Sequence, residues 1–362
     1  MRASTKKLSL ALIVKNEDRC LARCLRSVRA IVDEIVVVDT GSTDNTVNVA
    51  RQSDARVSAY AWDDDFAAAR NHAIAQTTGD WILMLDADEH ASESLSAEIA
   101  AFVRQGPAVG RLRIVSDFRR GGQILRSQSF VSRLFPRGAR FQGRIHEQLV
   151  SPLPRVNLNG ELWHDGYLAV DKSGRNLRLL RRELEHRPAN AYLWFQLAVE
   201  HNSLNQAQEA FACLERVLRL IKPTDAFARN VVVDYLYAAM ALKRFENGLR
   251  VLASAGEWLD DFPDYYLASG LFYLHLVRSN PAKYIVHLPK IEQSFQRCLA
   301  LGDTDQYRSV RGTGSFLASY NLGTFYLVLG NTPDARRCFE TAARQGYEPA
   351  ATMLERLATG AS

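Results

Sequence analysis

Three carboxylates, Asp86, Asp88 and Glu89, fall within four residues, directly after the apolar run Trp81-Ile82-Leu83-Met84-Leu85. Acids crowded at the edge of a core repel one another unless a cation sits among them. Asp-x-Asp also arises in acidic surface turns, so the element that carries it decides its meaning. An unbroken apolar run of this length suits a strand buried on both faces, although periodicity alone leaves a buried helix open. In an open α/β sheet, ligands bind at the carboxyl ends of the strands. Asp86-Ala87-Asp88 therefore reads as a hard-metal site holding a phosphate-bearing ligand.

The elements that must position these acids alternate along the first half of the chain. Leu8 to Val14 reads as a strand, and Asp18 to Ile31 carries Leu21, Leu25 and Val28 at helical spacing. Glu34 to Asp39 is a β-branched strand, and the turn Gly41-Ser42-Thr43-Asp44-Asn45 leads into a helix over Thr46 to Ser53, with Asp44 or Thr43 as its cap. Arg56 to Ala61 predicts a third strand, Phe66 to Thr77 a helix, and Trp81 to Leu85 the fourth strand. Such alternation implies an α/β fold, a parallel sheet covered on both faces. Lys15-Asn16-Glu17 then follow the first strand, Asp39 ends the second, and Asp86 and Asp88 end the fourth. All of them fall on one rim, where chance would scatter them over two. Asp39 could equally cap the turn that follows it.

Four motifs carry a resemblance. Ile13-Val14-Lys15-Asn16-Glu17, Val37-Val38-Asp39-Thr40-Gly41-Ser42-Thr43-Asp44, Arg70-Asn71 and Leu85-Asp86-Ala87-Asp88-Glu89 occur in the order found in family 2 glycosyltransferases, and the first 150 or so residues resemble that family. The resemblance implies the GT-A fold, a Rossmann-like, mostly parallel sheet with helices on both faces. It implies an inverting transferase that uses a nucleotide-diphosphate sugar, a UDP-sugar in the reading adopted here, with Mg²⁺ or Mn²⁺. Carried over by motif, Val14, Lys15, Asn16 and Glu17 bind the donor, Asp39 contacts its nucleoside, Asp86 lies near ribose or sugar, and Asp88 binds the metal. Thr40 stands where many members have a second Asp, which leaves the base preference open. Arg70 faces phosphate or sugar, or else forms a salt bridge on a helix surface. The chemistry is consistent: a divalent cation that keeps waters plus one or two carboxylates beside phosphates stabilises the departing charge as a Lewis acid. Nucleotidyltransferases use a similar sheet but need a glycine-rich loop after strand one, and Lys15-Asn16-Glu17-Asp18-Arg19 contains no glycine.

From Arg111 to Leu149 the text alternates as strands do, with Gly121-Gly122 marking a turn and Phe130 to Phe135 resuming the pattern. The segment Phe141-Gln142-Gly143-Arg144-Ile145-His146-Glu147-Gln148-Leu149 resembles a Gly-x-Ile-His-Glu stretch of one glycosyltransferase subgroup. That resemblance makes Glu147 the general base and His146 a substrate or phosphate contact; a structural His–Glu hydrogen bond is the alternative. In Leu162-Trp163-His164-Asp165-Gly166-Tyr167, His164 completes the metal or diphosphate site or serves structure only, and Asp165 is the second choice of base.

After about Ser173 the strands stop, which divides the chain into a GT-A domain over 1–172 and a helical domain over 173–362. Trp194, Leu197, Ala198, Ala210, Leu214 and Val217 repeat the spacing of Leu322, Gly323, Tyr326, Ala335, Phe339 and Ala342, and the later unit looks like a tetratricopeptide repeat. The stretch from Tyr235 to Ala255 is degenerate, and Asn280 to Pro289 departs from the period. Stacked helix pairs bury a shared core and leave a concave surface. Capture of a peptide or protein acceptor is the functional reading, packing and homodimer formation the plainer one. Peptide-modifying and S-glycosylating transferases share this two-part layout. A transferase acting on lipopolysaccharide core or another glycan is the alternative, and so is a repeat scaffold with a decayed catalytic domain; intact Asp39, Asp86 and Asp88 speak against the last.

Bulk properties exclude other classes. A net charge of +5 over 362 residues, without a basic stripe interleaved with aromatics, is no nucleic-acid footprint. Lys6-Lys7 precede a short apolar run, but charged Lys15, Glu17, Asp18 and Arg19 follow it without a small-residue cleavage site, so the run reads as a strand and not a signal peptide. Nothing approaches the length of a transmembrane segment. Five scattered cysteines, none in Cys-x-x-Cys, predict reduced thiols and a cytoplasmic protein. Cys20 and Cys24 share a helix face, where core packing is the simple reading.

Overall fold

The computed structural model describes residues 6–120, 123–165 and 173–359. The Gly121-Gly122 turn and Gly166-Tyr167 lie outside them. By contact the chain forms two compact units, one ending at Glu183 and the other starting at Leu184. No helix among the described residues is long and apolar enough to cross a membrane.

In the first unit β1 (Leu8–Val14), α1 (Leu21–Val28), β2 (Glu34–Asp39), α2 (Thr46–Gln52), β3 (Arg56–Ala59), α3 (Phe66–Gln76) and β4 (Trp81–Met84) alternate as expected. The four strands are parallel in the order β3-β2-β1-β4, with Leu10 opposite Ile35 on one side and Leu83 on the other. Their apolar runs do not alternate because both faces are covered. Leu10, Leu12, Leu83 and Leu85 pack with Leu21 and Leu25 of α1 and with Leu95 and Ile99 of α4 (Glu93–Phe102). Ala11, Ile82 and Met84 pack instead with Ala67, Ala73 and Ile74 of α3. Each fully buried leucine or isoleucine contributes about 1.5–3 kcal/mol relative to exposure. The strands fix where their carboxyl ends lie.

Beyond β4 the mostly parallel sheet takes in its antiparallel part. After the short strand β5 (Glu89–Ala91), the strands β6 (Val109–Arg120) and β7 (Gln123–Pro136) form a long antiparallel hairpin. The hairpin inserts β7 antiparallel to β4, with Leu83 opposite Leu134. A two-stranded ribbon of β8 (Arg140–Gln142) and β9 (Gln148–Val150) follows. β10 (Arg155–His164) then runs parallel to β6 and antiparallel to β5, completing the order β3-β2-β1-β4-β7-β6-β10-β5. A hairpin needs no crossover helix, so local alternation could not reveal this change of direction. Helix α5 (Ser173–His186) closes the unit, with Arg178 paired to Asp64 at 2.9 Å and Glu183 lying 3.7 Å from Arg144.

The second unit is helical, and its pairs are tetratricopeptide-like. Helices α6 (Ala191–Ser203) and α7 (Ala207–Leu218) bury Leu197, Ala198, Ala210, Leu214 and Val217. Asn190 caps α6 by accepting from Leu193 N–H at 3.1 Å. The degenerate stretch holds α8 (Ala228–Ala241) and α9 (Phe245–Ser254), followed by α10 (Pro263–Ser279). Asn280 to Pro289 departs from the period because it folds as the single turn α11 (Pro281–Tyr284) and a 3₁₀ turn before α12 (Leu288–Leu301). α13 (Phe316–Val328) and α14 (Thr332–Arg344) bury Leu322, Ala335, Phe339 and Ala342, and α15 (Glu348–Thr359) follows. Gly323 is a packing position: a Cβ there would sit 2.9 Å from Phe339 and 3.0 Å from Cys338.

Candidate active site

The loops after β1 and β2 lock together. Asn16 adopts a left-handed φ of 56°, which Asn tolerates better than most residues. From there its Oδ1 accepts from Thr43 N–H at 2.8 Å, while its own N–H donates to Ser42 Oγ at 3.0 Å. Glu17 N–H donates to Thr46 Oγ1 at 2.7 Å. Asp39 accepts from the N–H groups of Gly41 and Ser42 at 3.1–3.2 Å, so its carboxylate organises the turn, and Gly41 takes φ 104° there. The cap position of α2 falls on Asn45, not on Asp44 or Thr43, and its side chain makes no cap bond; Asp44, one residue earlier, accepts from Thr46 N–H at 3.0 Å. Thr40, the residue in place of an acid, returns its hydroxyl to Val14 O at 3.0 Å. Val14 is buried and Lys15 exposed.

Two of the three acids after β4, Asp86 and Glu89, are bridged by an arginine. Arg70, 6% exposed on α3, donates from Nη2 to Asp86 Oδ1 at 2.7 Å and from Nε to Glu147 Oε1 at 2.5 Å. Arg133, 8% exposed on β7, donates from Nη2 to Asp86 Oδ2 at 2.5 Å and to Glu89 Oε1 at 2.6 Å. Glu89 Oε2 accepts from Asp86 N–H at 2.9 Å. Glu147, Arg70, Asp86, Arg133 and Glu89 thus form one chain of alternating charge. Burial opposes the charge of Asp86, yet Arg133 and Arg70 hold its pKa far below the usual carboxylate range. Burial raises the pKa of Glu89, Arg133 pulls it down and Asp86 pushes it up, and it stays raised.

Asp88 is placed by the last two strands of the sheet. β5 and β10 set His164 opposite Glu89, and Asp165 N–H donates to Asp88 O at 3.1 Å. His164 Nε2 then lies 3.5 Å from Asp88 Oδ2, with Ser116 Oγ 3.2 Å from Nδ1 on the other side of the ring. Burial lowers the pKa of this imidazole, but the hydrogen bond and charge of Asp88, with Glu89 and Asp86 behind it, raise it overall. Asp165, the second choice of base, is paired with Arg23. Among the described residues no three His, Cys, Asp or Glu side chains gather as a ready metal cage. A carboxylate and an imidazole side by side still fit a hard divalent cation that takes most of its shell from water and phosphates.

The Glu147 segment is pinned against α3. Phe66 N–H donates to Arg144 O at 2.8 Å, and the Asn71 amide bonds both the N–H and the carbonyl of Phe141 at 2.9 Å. Gly143 and His146 take φ 97° and 50°, which turns the chain tightly before Glu147. Burial lowers the pKa of His146 to about 4, so its ring is neutral near pH 7. The Cys24 thiol, buried in the core, reaches Asp86 O at 3.5 Å, and all five cysteines are free thiols.

Residues 9–152, which span β1 to β9 and hold every residue above except His164 and Asp165, match the family model described as glycosyl transferase family 2. This segment is a family 2 glycosyltransferase domain. The chain is 33% identical over 268 residues to a TPR repeat-containing protein of Synechococcus elongatus, covering 68% of this chain and 64% of that one. It is 28% identical over 256 residues to the prophage-derived glycosyltransferase SunS of Bacillus subtilis, covering 67% of this chain and 60% of that one. The matches therefore span less than two thirds of either relative. Among solved structures, glucosyl-3-phosphoglycerate synthase from Mycobacterium tuberculosis aligns at 24% identity and TM-score 0.27 over 32% of this chain and 45% of that one.

Within the glycosyltransferase domain, direct contact joins Arg70, Asp86 and Glu147, and a second contact joins Asp88 to His164, beyond the matched residues. Asn16 and Asp39 shape the neighbouring loops. Sequence reasoning missed Arg133. One signal was present: a lone arginine in an otherwise apolar stretch, Arg133-Leu134-Phe135, where all three residues are buried. A buried guanidinium must find carboxylates.

Proposed function

We propose that this chain transfers a sugar, with inversion, from a nucleotide-diphosphate sugar, a UDP-sugar, to a peptide or protein acceptor, assisted by Mg²⁺ or Mn²⁺. The observation that carries the reading is the Arg70 bridge, which ties Glu147 to Asp86 two residues from the Asp88–His164 pair. Asn16 and Asp39, on the interlocked loops, frame the nucleoside, and Lys15 and Glu17 flank it. Asp88 and His164 would hold the cation, which supplies Lewis-acid stabilisation of the departing diphosphate when bound. Arg70 has a buried Nη1 without a hydrogen-bond partner among the described residues, a donor suited to a substrate oxygen. Arg70 holds Glu147 by Oε1, which leaves Oε2 to take the acceptor's proton. As that proton moves, the acceptor oxygen or sulfur bonds to the anomeric carbon. The bond from that carbon to the diphosphate oxygen breaks on the opposite side.

The acceptor assignment rests on the tetratricopeptide-like second unit, whose stacked helix pairs present an extended surface of the kind that binds peptides. The relatives support the reading by name, one a TPR repeat-containing protein and one a glycosyltransferase. Free thiols fit action in the cytoplasm. A screen of nucleotide sugars for cation-dependent hydrolysis, followed by peptide and glycan acceptors with the best donor, tests it. No hydrolysis of any donor would sink the enzymatic reading. Transfer to glycans alone would move the acceptor class.

A further inference from the structure

We infer that Arg133 is a positioning residue that withdraws Asp86 and Glu89 from the cation's reach, so that the cation binds firmly only together with the donor diphosphate. The inference rests on the reading of the site as a cation-assisted glycosyltransferase centre. All four carboxylate oxygens of the two acids are already engaged by protein donors: Asp86 by Arg70 and Arg133, Glu89 by Arg133 and the Asp86 N–H. Each oxygen keeps a second lone pair, but a cation using it would sit beside the Arg133 or Arg70 guanidinium, whose positive charge opposes it. Arg133 makes both of its bonds through the single nitrogen Nη2, and its buried Nε has no hydrogen-bond partner among the described residues. What it provides is therefore one positive charge at one point between two acids. Without that charge, Asp86 and Glu89, which share the one nitrogen, would face each other with Arg70 beside Asp86 and His164 beside the neighbouring Asp88 as the remaining partners. A cluster so left would attract a bare divalent cation, because the interaction between charges a few ångströms apart is large in a partly buried site.

The test is binding of Mn²⁺, followed by electron paramagnetic resonance of the free ion, with and without UDP. The wild-type full-length chain is expected to bind Mn²⁺ alone weakly and Mn²⁺ with UDP at least about tenfold more tightly. Arg133→Met is expected to gain about tenfold or more in affinity for Mn²⁺ alone. Arg133→Lys, whose single ammonium replaces the single nitrogen used, should behave as wild type. If the wild type binds Mn²⁺ with UDP but Arg133→Met shows no gain for Mn²⁺ alone, the role of Arg133 is overturned while the reading of the site stands. Absence of Mn²⁺ binding even with UDP would remove both. Should Arg133→Met fail to fold, as near-ultraviolet circular dichroism would show, Arg133→Lys decides. Tight binding of Mn²⁺ alone by that variant, or by the wild type, overturns the inference.

Discussion

Glu147 is held by a guanidinium before any acceptor arrives, and this shapes what substitution there should do. Glu147→Gln keeps an oxygen for Arg70 Nε, so donor binding should change little while transfer to a hydroxyl acceptor falls about 10²–10⁴-fold. A cysteine acceptor would soften the loss as pH rises, because a thiol ionises near pH 8.5 unaided. Turnover against pH, with donor affinity measured separately, checks both arms; unchanged turnover at pH 7 with a hydroxyl acceptor would move the base to Asp165. Asp88→Asn should abolish cation-dependent donor hydrolysis in a protein whose melting is unimpaired, and near wild-type turnover would remove Asp88 from the site. His146 acts on stability. Its folded pKa of about 4 lies below the ordinary 6.5, so between those values the unfolded chain binds more protons. The stability linked to its neutral ring is therefore complete above pH 6.5 and is lost as pH falls toward 4. His146→Gln should unfold with a flatter pH dependence than wild type across that window, measured by urea titration. Parallel curves would show that the ring is not the cause.

At the scale of elements, what a strand's own residues encode was legible and what its neighbours decide was not. Two-sided burial erased alternation in β1, β2 and β4, and unbroken apolar runs signalled that directly. The ends of those runs placed Asn16, Asp39 and Asp86 on one rim, because parallel strands share a carboxyl edge. β7 is different. It runs antiparallel to β4 with Leu134 opposite Leu83, so Arg133, one residue earlier, reaches the carboxyl end of β4 where Asp86 lies. No local pattern in Phe130 to Phe135 states which strand will be its neighbour or in which direction. The role of Thr40 was hidden for the same reason, since its hydroxyl serves the backbone of β1. Close packing offers a test of the element that carries His164. A Cβ on Gly160 in β10 would lie 2.3 Å from Leu95 Cα of α4, so Gly160→Ala must push backbone apart. We expect a loss of about 1–3 kcal/mol in urea unfolding, with donor hydrolysis falling as His164 shifts. Unaltered stability would mean that α4 yields without cost.

For the whole molecule, the end of the strands and the end of the first compact unit are separated by one helix. α5 opens at Ser173, yet up to Glu183 it belongs to the first unit, which it meets through Asp64 and Arg144. A chain ending at His186 should therefore melt cooperatively and keep cation-dependent nucleotide binding. A chain ending at Gly174 should melt several degrees lower, at about 2–4 °C per kcal/mol lost. Both lack the repeats, and neither should use a peptide acceptor well if those repeats present it. Calorimetry and acceptor kinetics on the two chains separate the questions: equal melting would show that α5 is dispensable, and an unchanged Michaelis constant would release the repeats from acceptor binding.

The alternating line from Glu147 to Glu89 sets how this site can drift over generations. Its two cations, Arg70 and Arg133, each stand between two acids, so losing either one in a single step brings two acids face to face in a partly buried place. Losing Glu89 breaks its bonds to Arg133 and to the Asp86 N–H but leaves Glu147, Arg70, Asp86 and Arg133 still alternating. Descendants of this chain can thus lose the Glu89 tip in one step, whereas the Glu147 tip is kept by its work as the base. The middle has to be rewritten two positions at once, by a change on β7 and another in the loop after β4, far apart in the gene but a single unit of inheritance.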